Sequence, residues 1–402
     1  MELCKKLVQR LQQLRLGFWQ LSGASCQFQI FVSAHFWTMD EDIAVDSDSR
    51  TQYTASDAML CKHSAVAKGY FEDALISSFI DIDVPTSNTC HARRRKPPII
   101  NRGYFARVHS IKNTIQKFMD VAVSGDDRRK QIVILGSGFD TLSLRLISGR
   151  DEVLSIYEVD FEKIIRRKVA VCLNDPTIRE LLVPTIEKNA GISHEMKCGT
   201  DGSSDGSKRI SIDDEGANYK FDNLHFLSGD LRDTKNIIES LLRSGIDRSV
   251  PTLILTECVM VYLEKSPTMD LCKAFSELLL ECVWVTYDMI SPSDVFGRTM
   301  LKNLNAARFH IPGFTDFPTK ESQVERFIES GWNDARSITM LSVYEDYISI
   351  EEKHRIARLE IFDEIEEWQM LMSHYTLSVA VKGNSLISVL PIIENKISRL
   401  KK

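Results

Sequence analysis

The chain has 402 residues, 43% of them hydrophobic, enough to bury one large core or two modest ones. Fifty basic against 56 acidic side chains leave a net charge of −6, so no global field draws nucleic acid or an anionic membrane surface. Nine cysteines without a CxxC or any metal-ligand spacing point away from a metal centre and towards the reduced thiols of a cytosolic or nuclear protein, with cytoplasmic the expectation.

Residues 1–38 carry several bases, one acid and many aromatics, a composition shared with transit peptides, but no continuous apolar region of a secretory signal. They read as an appendage. Met39 opens the acidic stretch "MDEDIAVDSDSR", and residues 40–56 read as a mobile lead-in, so 1–56 is expected to be a disordered extension. From residue 57 a single domain is expected. Asp57 to Phe79 has apolar residues at helical spacing, and "INRGYFARVHSIKNTIQKFMDVAV" resumes as a second helix, completing an N-terminal helical segment over 57–120. The basic runs "HARRRKPP" and "ISRLKK" read as a solvated loop and a frayed end, with docking to an acidic partner the alternative.

Alternating units follow: strand 131–135, helix 139–147, strand 153–159, helix 161–172, strand 224–227, helix 234–243, strand 252–256, helix 267–281, strand 282–288. Repeated βα units predict an α/β fold with a doubly wound, mostly parallel sheet, and runs such as "IVIL" and "TLILT" suit strands buried on both faces. Residues 190–222 are Gly/Ser- and charge-rich and read as a flexible insertion. Residues 291–335 are mainly helical and follow a strand's carboxyl end, the ligand side of such a sheet, so they read as a lid. A helix over "IARLEIFDEIEEWQMLMSH" and a strand over "YTLSVAVKG" close the domain. No apolar stretch reaches the roughly 20 residues of a bilayer span. No heptad or exposed apolar stripe appears, so a monomer is expected.

Gly136-Ser137-Gly138 lies between a strand and a helix, the setting of a nucleotide-binding turn. The third glycine of the dinucleotide fingerprint is replaced by Thr141, which argues against a diphosphate. The next strand ends in "YEVDF", where Glu158 or Asp160 is placed to bond ribose hydroxyls. A nucleoside without a required phosphate fits, and S-adenosylmethionine meets that description better than a nicotinamide dinucleotide. After the third strand, Asp230 is positioned to accept from an adenine amino group and Leu231 to pack on the ring. Glu257, after the fourth, is positioned for the ammonium of a methionine moiety, with Lys62 and Arg107 the candidate cations for its carboxylate.

The segments "NRGYFARVHSI", "QIVILGSGFDT", "YEVDF", "GDLRD", "TECVMVY", "DVFGRTM" and "ESGW" closely resemble the leucine carboxyl methyltransferase family, from about Ala58 to Gly383, with insertions at 83–95 and around 195–215. This sequence has Ser137 where many relatives carry Ala, and Val295 where an Arg is often seen. The resemblance implies a Rossmann-like class I fold. It also implies S-adenosylmethionine contacts at Lys62, Arg107, Gly136, Gly138, Asp160, Asp230, Leu231 and Glu257, with Tyr104 and Tyr262 on the substrate side. The implied reaction is methyl esterification of the C-terminal leucine of the protein phosphatase 2A catalytic subunit, which makes that subunit the expected partner.

Such an acceptor is a carboxylate with a pKa of roughly 3.3–3.7, ionised at neutral pH, so no general base is needed. No metal is expected. The alternatives are a wybutosine-type tRNA carboxyl methyltransferase, which in known members carries a long C-terminal repeat region, and a small-molecule O-methyltransferase. A non-catalytic phosphatase-binding module is the alternative of another class.

Overall fold

In a computed structural model, which describes residues 47–80, 96–122, 128–148, 154–182, 210–212 and 218–390, the aliphatic runs form the middle of a nine-stranded sheet. Its strands are β1 (Lys130–Leu135), β2 (Leu154–Asp160), β3 (Ile210–Ile212), β4 (Tyr219–Phe221), β5 (Leu224–Ser228), β6 (Thr252–Glu257), β7 (Cys282–Met289), β8 (Asp334–Thr339) and β9 (Tyr375–Lys382). Their order is β3-β4-β5-β2-β1-β6-β7-β9-β8. Neighbours from β5 to β7 are parallel, and β9 runs antiparallel between β7 and β8. This is the α/β, mostly parallel, doubly wound arrangement expected from the sequence. β1 and β7 are buried along their whole lengths, β1 through the aliphatic run Ile132–Leu135 and β7 around Val283, Trp284 and Val285. Trp284 of β7 centres one side of the core, with Phe275, Phe327 and Trp332 at 5.5, 5.6 and 5.9 Å between ring centroids.

The chain order reverses beside β1, whose two neighbours are β2 and β6; ligands of such sheets bind at that crevice, outside the carboxyl ends of the strands. Helices α1 (Ser47–Ala67) and α2 (Pro98–Asp120) precede the sheet. Helices α3 (Leu142–Ile147), α4 (Glu162–Asn174), α5 (Pro176–Leu182), α6 (Thr234–Arg243) and α7 (Lys265–Leu278) are threaded between its strands. Then come α8 (Val295–Ala306), α9 (Pro312–Asp316), α10 (Lys320–Ile328), α11 (Met340–Tyr347), α12 (Ile350–Ala357) and α13 (Ile365–Ser373). The described residues fall into two compact units. One, within 51–291 and 311–390, holds the sheet, and the other, 47–50 with 292–310, includes α8, where Val295 is three-quarters exposed.

Several expectations are corrected. The expected boundary at 57 falls inside α1, which starts at Ser47 with Asp48 in its first turn, where an acid favours a helix N-terminus. The same helix stops at Ala67 because Gly69 adopts φ +80°, so it does not run on to Phe79. Within the expected flexible insertion, residues 210–212 and 219–221 pair as edge strands, and the remainder up to residue 217 lies outside the described residues. The helix expected over 356–374 is broken at 358–364, where side chains serve tertiary contacts. Glu360 accepts from Asn101 Nδ2 at 2.9 Å, and the Arg102 guanidinium lies 3.9 Å above the Phe362 ring. Strand β8 went unforeseen, since "DARSIT" has no apolar run, although the turn at Gly331, with φ +87°, marks its start. Residues 1–46 and both basic runs, apart from Lys96–Pro98, lie outside the described residues.

Candidate active site

The glycine turn is built for close approach. Gly136 and Gly138 have φ of +66° and +52°, a region that L side chains rarely adopt. A Cβ on Gly136 would lie 2.5 Å from the Val259 side chain, so only hydrogen fits there. The Gly138 amide donates to Asp160 Oδ2 at 2.7 Å and the Phe161 amide to Oδ1 at 2.7 Å. A carboxylate has about four acceptor sites, so two remain for a ligand. Burial pushes the Asp160 carboxyl up to about 6 despite those two amides and the charge of Lys168. Glu158, the alternative ribose acid, is ruled out. It is fully buried, accepting from Lys168 Nζ at 2.6 Å and from the Ser143 hydroxyl.

Across the turn, four charges meet. Glu257, at the end of β6, accepts from Arg107 Nε at 2.5 Å and pairs with Lys62 Nζ at 2.7 Å. Arg107 NH2 also donates to the Glu257 carbonyl at 3.2 Å. Lys62 bonds Asp140 as well, a residue the sequence reading passed over. All four side chains are 8–18% exposed. Burial alone would raise the Asp140 carboxyl, but Lys62 and Arg145 hold it well below the usual carboxylate range. Asp140 also starts α3 by accepting from the Leu142 amide at 2.8 Å. Two cations balance two anions, an arrangement able to exchange partners with the carboxylate and ammonium of a zwitterionic amino-acid group.

Tyrosines wall the far side of Arg107. Its guanidinium lies 5.2 Å from the Tyr104 ring centroid and 4.7 Å from that of Tyr287, which stacks on Tyr375 at 5.2 Å. Tyr287 and Tyr375, from β7 and β9, were missed because nothing local marks them; strand pairing brings them together. Tyr262 sits in the short turn after β6, bonded to the Thr54 side chain of α1. Burial raises the pKa of Tyr104 and of Tyr262, so both stay neutral O–H donors. Between them Cys258 has φ +59°, and burial pushes its thiol up to about 12, far from a thiolate.

The expected adenine pair is placed differently from the rest. Asp230 is half-exposed and held by Arg232 Nε at 2.9 Å, which keeps its carboxyl low although burial pulls the other way. The Leu231 side chain, expected to pack on the base, turns inward and joins the core with Val159 and Ile237. Among the described residues, no group of three His, Cys, Asp or Glu is arranged to hold a metal ion, and no helix is long and apolar enough to cross a membrane.

A family model described as Leucine carboxyl methyltransferase matches residues 50–276. The Leucine carboxyl methyltransferase 1 homolog of Arabidopsis thaliana is 32% identical over 330 residues, covering 82% of this chain and 88% of that protein. The tRNA wybutosine-synthesizing protein 4 of Homo sapiens is 30% identical over 337 residues, covering 83% of this chain and 44% of that one. Among solved structures, human N-acetylserotonin methyltransferase, in complex with SAM, matches with a TM-score of 0.32 and 12% identity, over 84% of this chain and 67% of that one.

Proposed function

Because this chain belongs to the leucine carboxyl methyltransferase family, we propose that it transfers a methyl group from S-adenosylmethionine to the C-terminal leucine α-carboxylate of a protein phosphatase 2A catalytic subunit. The observation that carries the cofactor half is the balanced quartet of Lys62, Arg107, Asp140 and Glu257 beside a left-handed glycine turn and a carboxylate with free lone pairs. These residues fit the group: cations for its carboxylate, acids for its ammonium, Asp160 for its ribose, and Asp230 with the Leu231 backbone for its base. When bound, the cofactor supplies a methyl group made electrophilic by a positively charged sulfur.

The chain's own task is then alignment and dehydration. Arg107, clamped by Glu257 and flanked by two tyrosine rings, has little rotational freedom, so the group it holds is fixed before reaction. The neutral hydroxyls of Tyr104 and Tyr262 are the donors assigned to the acceptor carboxylate. Moderate donors suit this chemistry, because charge disappears as the anion meets the cationic donor and strong cationic contacts would favour the ground state. No proton must be removed from an ionised carboxylate, and the neutral Cys258 thiol is not suited to be a nucleophile. A leucine-sized recess discriminates by only ~1–3 kcal/mol per methylene. Recognition of the phosphatase body is therefore assigned to the 291–335 segment. In this reading the protein works as a cytoplasmic monomer without a metal.

The aligned relatives include a leucine carboxyl methyltransferase and a tRNA wybutosine-synthesizing protein, so the test is built to separate a protein acceptor from tRNA. The test is incubation with methyl-labelled cofactor and a folded catalytic subunit, with or without its terminal leucine. Base-labile label on the intact subunit alone is expected. Cofactor binding without label on either subunit, but with label on tRNA, would replace this acceptor.

A further inference from the structure

Among the described residues, Lys168 and Glu158 form an ion pair at 2.6 Å with side chains 0% and 1% exposed. Burying two charges seldom adds stability, because the loss of water offsets their attraction, and such a pair is more readily explained by what it holds in place. Glu158 lies two residues before Asp160 on β2 and reaches both flanking helices. One oxygen accepts from Ser143 in the first turn of α3, the helix into which the glycine turn opens. The other accepts from Lys168 of α4, the helix that begins just after Asp160. Lys168 in turn lies 6.0 Å from the Phe226 ring centroid of β5, the next strand.

We propose that Ser143, Glu158 and Lys168 are a positioning unit that fixes the glycine turn and Asp160 relative to each other for the ribose of the methyl donor. None of the three touches the ligand. One carboxylate spans the two helices leaving this corner, so the Gly138 amide and Asp160 are held as one rigid piece at their 2.7 Å contact. The unit also sets the charge of the corner. Lys168 lowers the Asp160 carboxyl more than Glu158 raises it, so the pair keeps Asp160 ionised to lower pH than burial alone would allow. The charged group of α3, Arg145, is directed elsewhere, to Asp73 at 3.4 Å and Asp140 at 3.9 Å. The proposal rests on the assignment of Asp160 to the ribose.

The test is titration of the full chain with S-adenosylhomocysteine from about pH 5 to about pH 8, comparing wild type, Asp160→Asn and the double variant Glu158→Gln/Lys168→Met. Replacing both partners avoids an uncompensated buried charge. Wild-type affinity is expected to fall as pH drops through about 6, and Asp160→Asn to abolish that fall. In the double variant the midpoint should move to higher pH, with affinity at pH 8 roughly tenfold lower, the scale at which outer-shell partners act on the ligands they orient. An unmoved midpoint with wild-type affinity, whatever the thermal stability, overturns the positioning unit and leaves Asp160 in place. An acid fall that persists in Asp160→Asn overturns the ribose assignment and the proposal with it. Should the double variant not fold, Ser143→Ala removes one tether and no charge. A loss of about two- to tenfold is then expected with the midpoint unchanged, and unaltered affinity overturns the unit.

Discussion

Glu257→Gln separates a binding quartet from a merely structural cluster of ions. The substitution keeps the side-chain shape and an oxygen for Arg107, but removes the charge that pairs with Lys62 at 2.7 Å and Arg107 at 2.5 Å. In the proposed complex that charge faces the ligand ammonium, and a charge-assisted bond is worth about 1.5–3 kcal/mol, or roughly 10- to 150-fold in affinity. Part of the loss is offset. With Glu257 neutral, Lys62 keeps Asp140 while Arg107 loses its acid partner, and both attract the ligand carboxylate more strongly, so we expect the lower end, about tenfold. The assay is calorimetric titration with two ligands: S-adenosylhomocysteine, which carries the amino-acid group, and 5′-methylthioadenosine, which keeps base and ribose and lacks it. Only the first should weaken. Equal weakening of both, or of neither, would refute the assignment of the quartet to the amino-acid end.

Three further outcomes are expected. Gly136→Ala adds a Cβ at 2.5 Å from Val259 to a backbone at φ +66°, costing about 1–2 kcal/mol for the left-handed conformation besides the clash. Adding Val259→Ala should recover the clash but not the conformational part, and full recovery of the thermal midpoint would show that the backbone term is absent. Tyr104→Phe and Tyr262→Phe each remove one neutral donor, about 0.5–1.5 kcal/mol, and should lower turnover about two- to tenfold while leaving S-adenosylhomocysteine affinity unchanged; a change in that affinity instead would move the residue to the cofactor side. The Asp160 carboxyl is raised from 3.8 to about 6 in the fold, so its contribution to stability is full below 3.8 and is lost as pH rises through about 6. Asp140, held low, acts in the opposite sense and only at more acidic pH. Asp160→Asn should therefore flatten the thermal midpoint between those values in scanning calorimetry, and an unchanged slope would show that Asp160 titrates elsewhere.

What could be read from the sequence followed locality. Strands β1 and β6 announce themselves by aliphatic runs and β7 by its β-branched and aromatic residues, as burial on both faces demands, and the glycine turn because a left-handed backbone favours glycine. Lys62, Arg107 and Glu257 were found individually, and the structure brings them within bonding distance. Their fourth member, Asp140, escaped because its partner Lys62 is 78 positions away and no spacing rule links an acid in a turn to a lysine on a distant helix. The period of two grouped Glu158 with Asp160, yet one pair deeper along the strand the same face is roofed by two helices and belongs to the interior. The break at 358–364 was hidden for a related reason: its apolar and acidic pattern is helical, and contacts with α2 prevail over that local preference.

The antiparallel β9 has a consequence for how the molecule is made. β7 finds its second neighbour only in residues 375–382, about 90 positions later in synthesis, although β5, β2, β1, β6 and β7 are all complete by residue 289. Until then Cys282–Met289, an unbroken buried strand in the finished protein, presents an open apolar edge, the feature most prone to pairing with other chains. Premature termination anywhere between α8 and α13 would release the cofactor crevice with its sheet unsealed, and the product would be lost to aggregation before it was lost to inactivity.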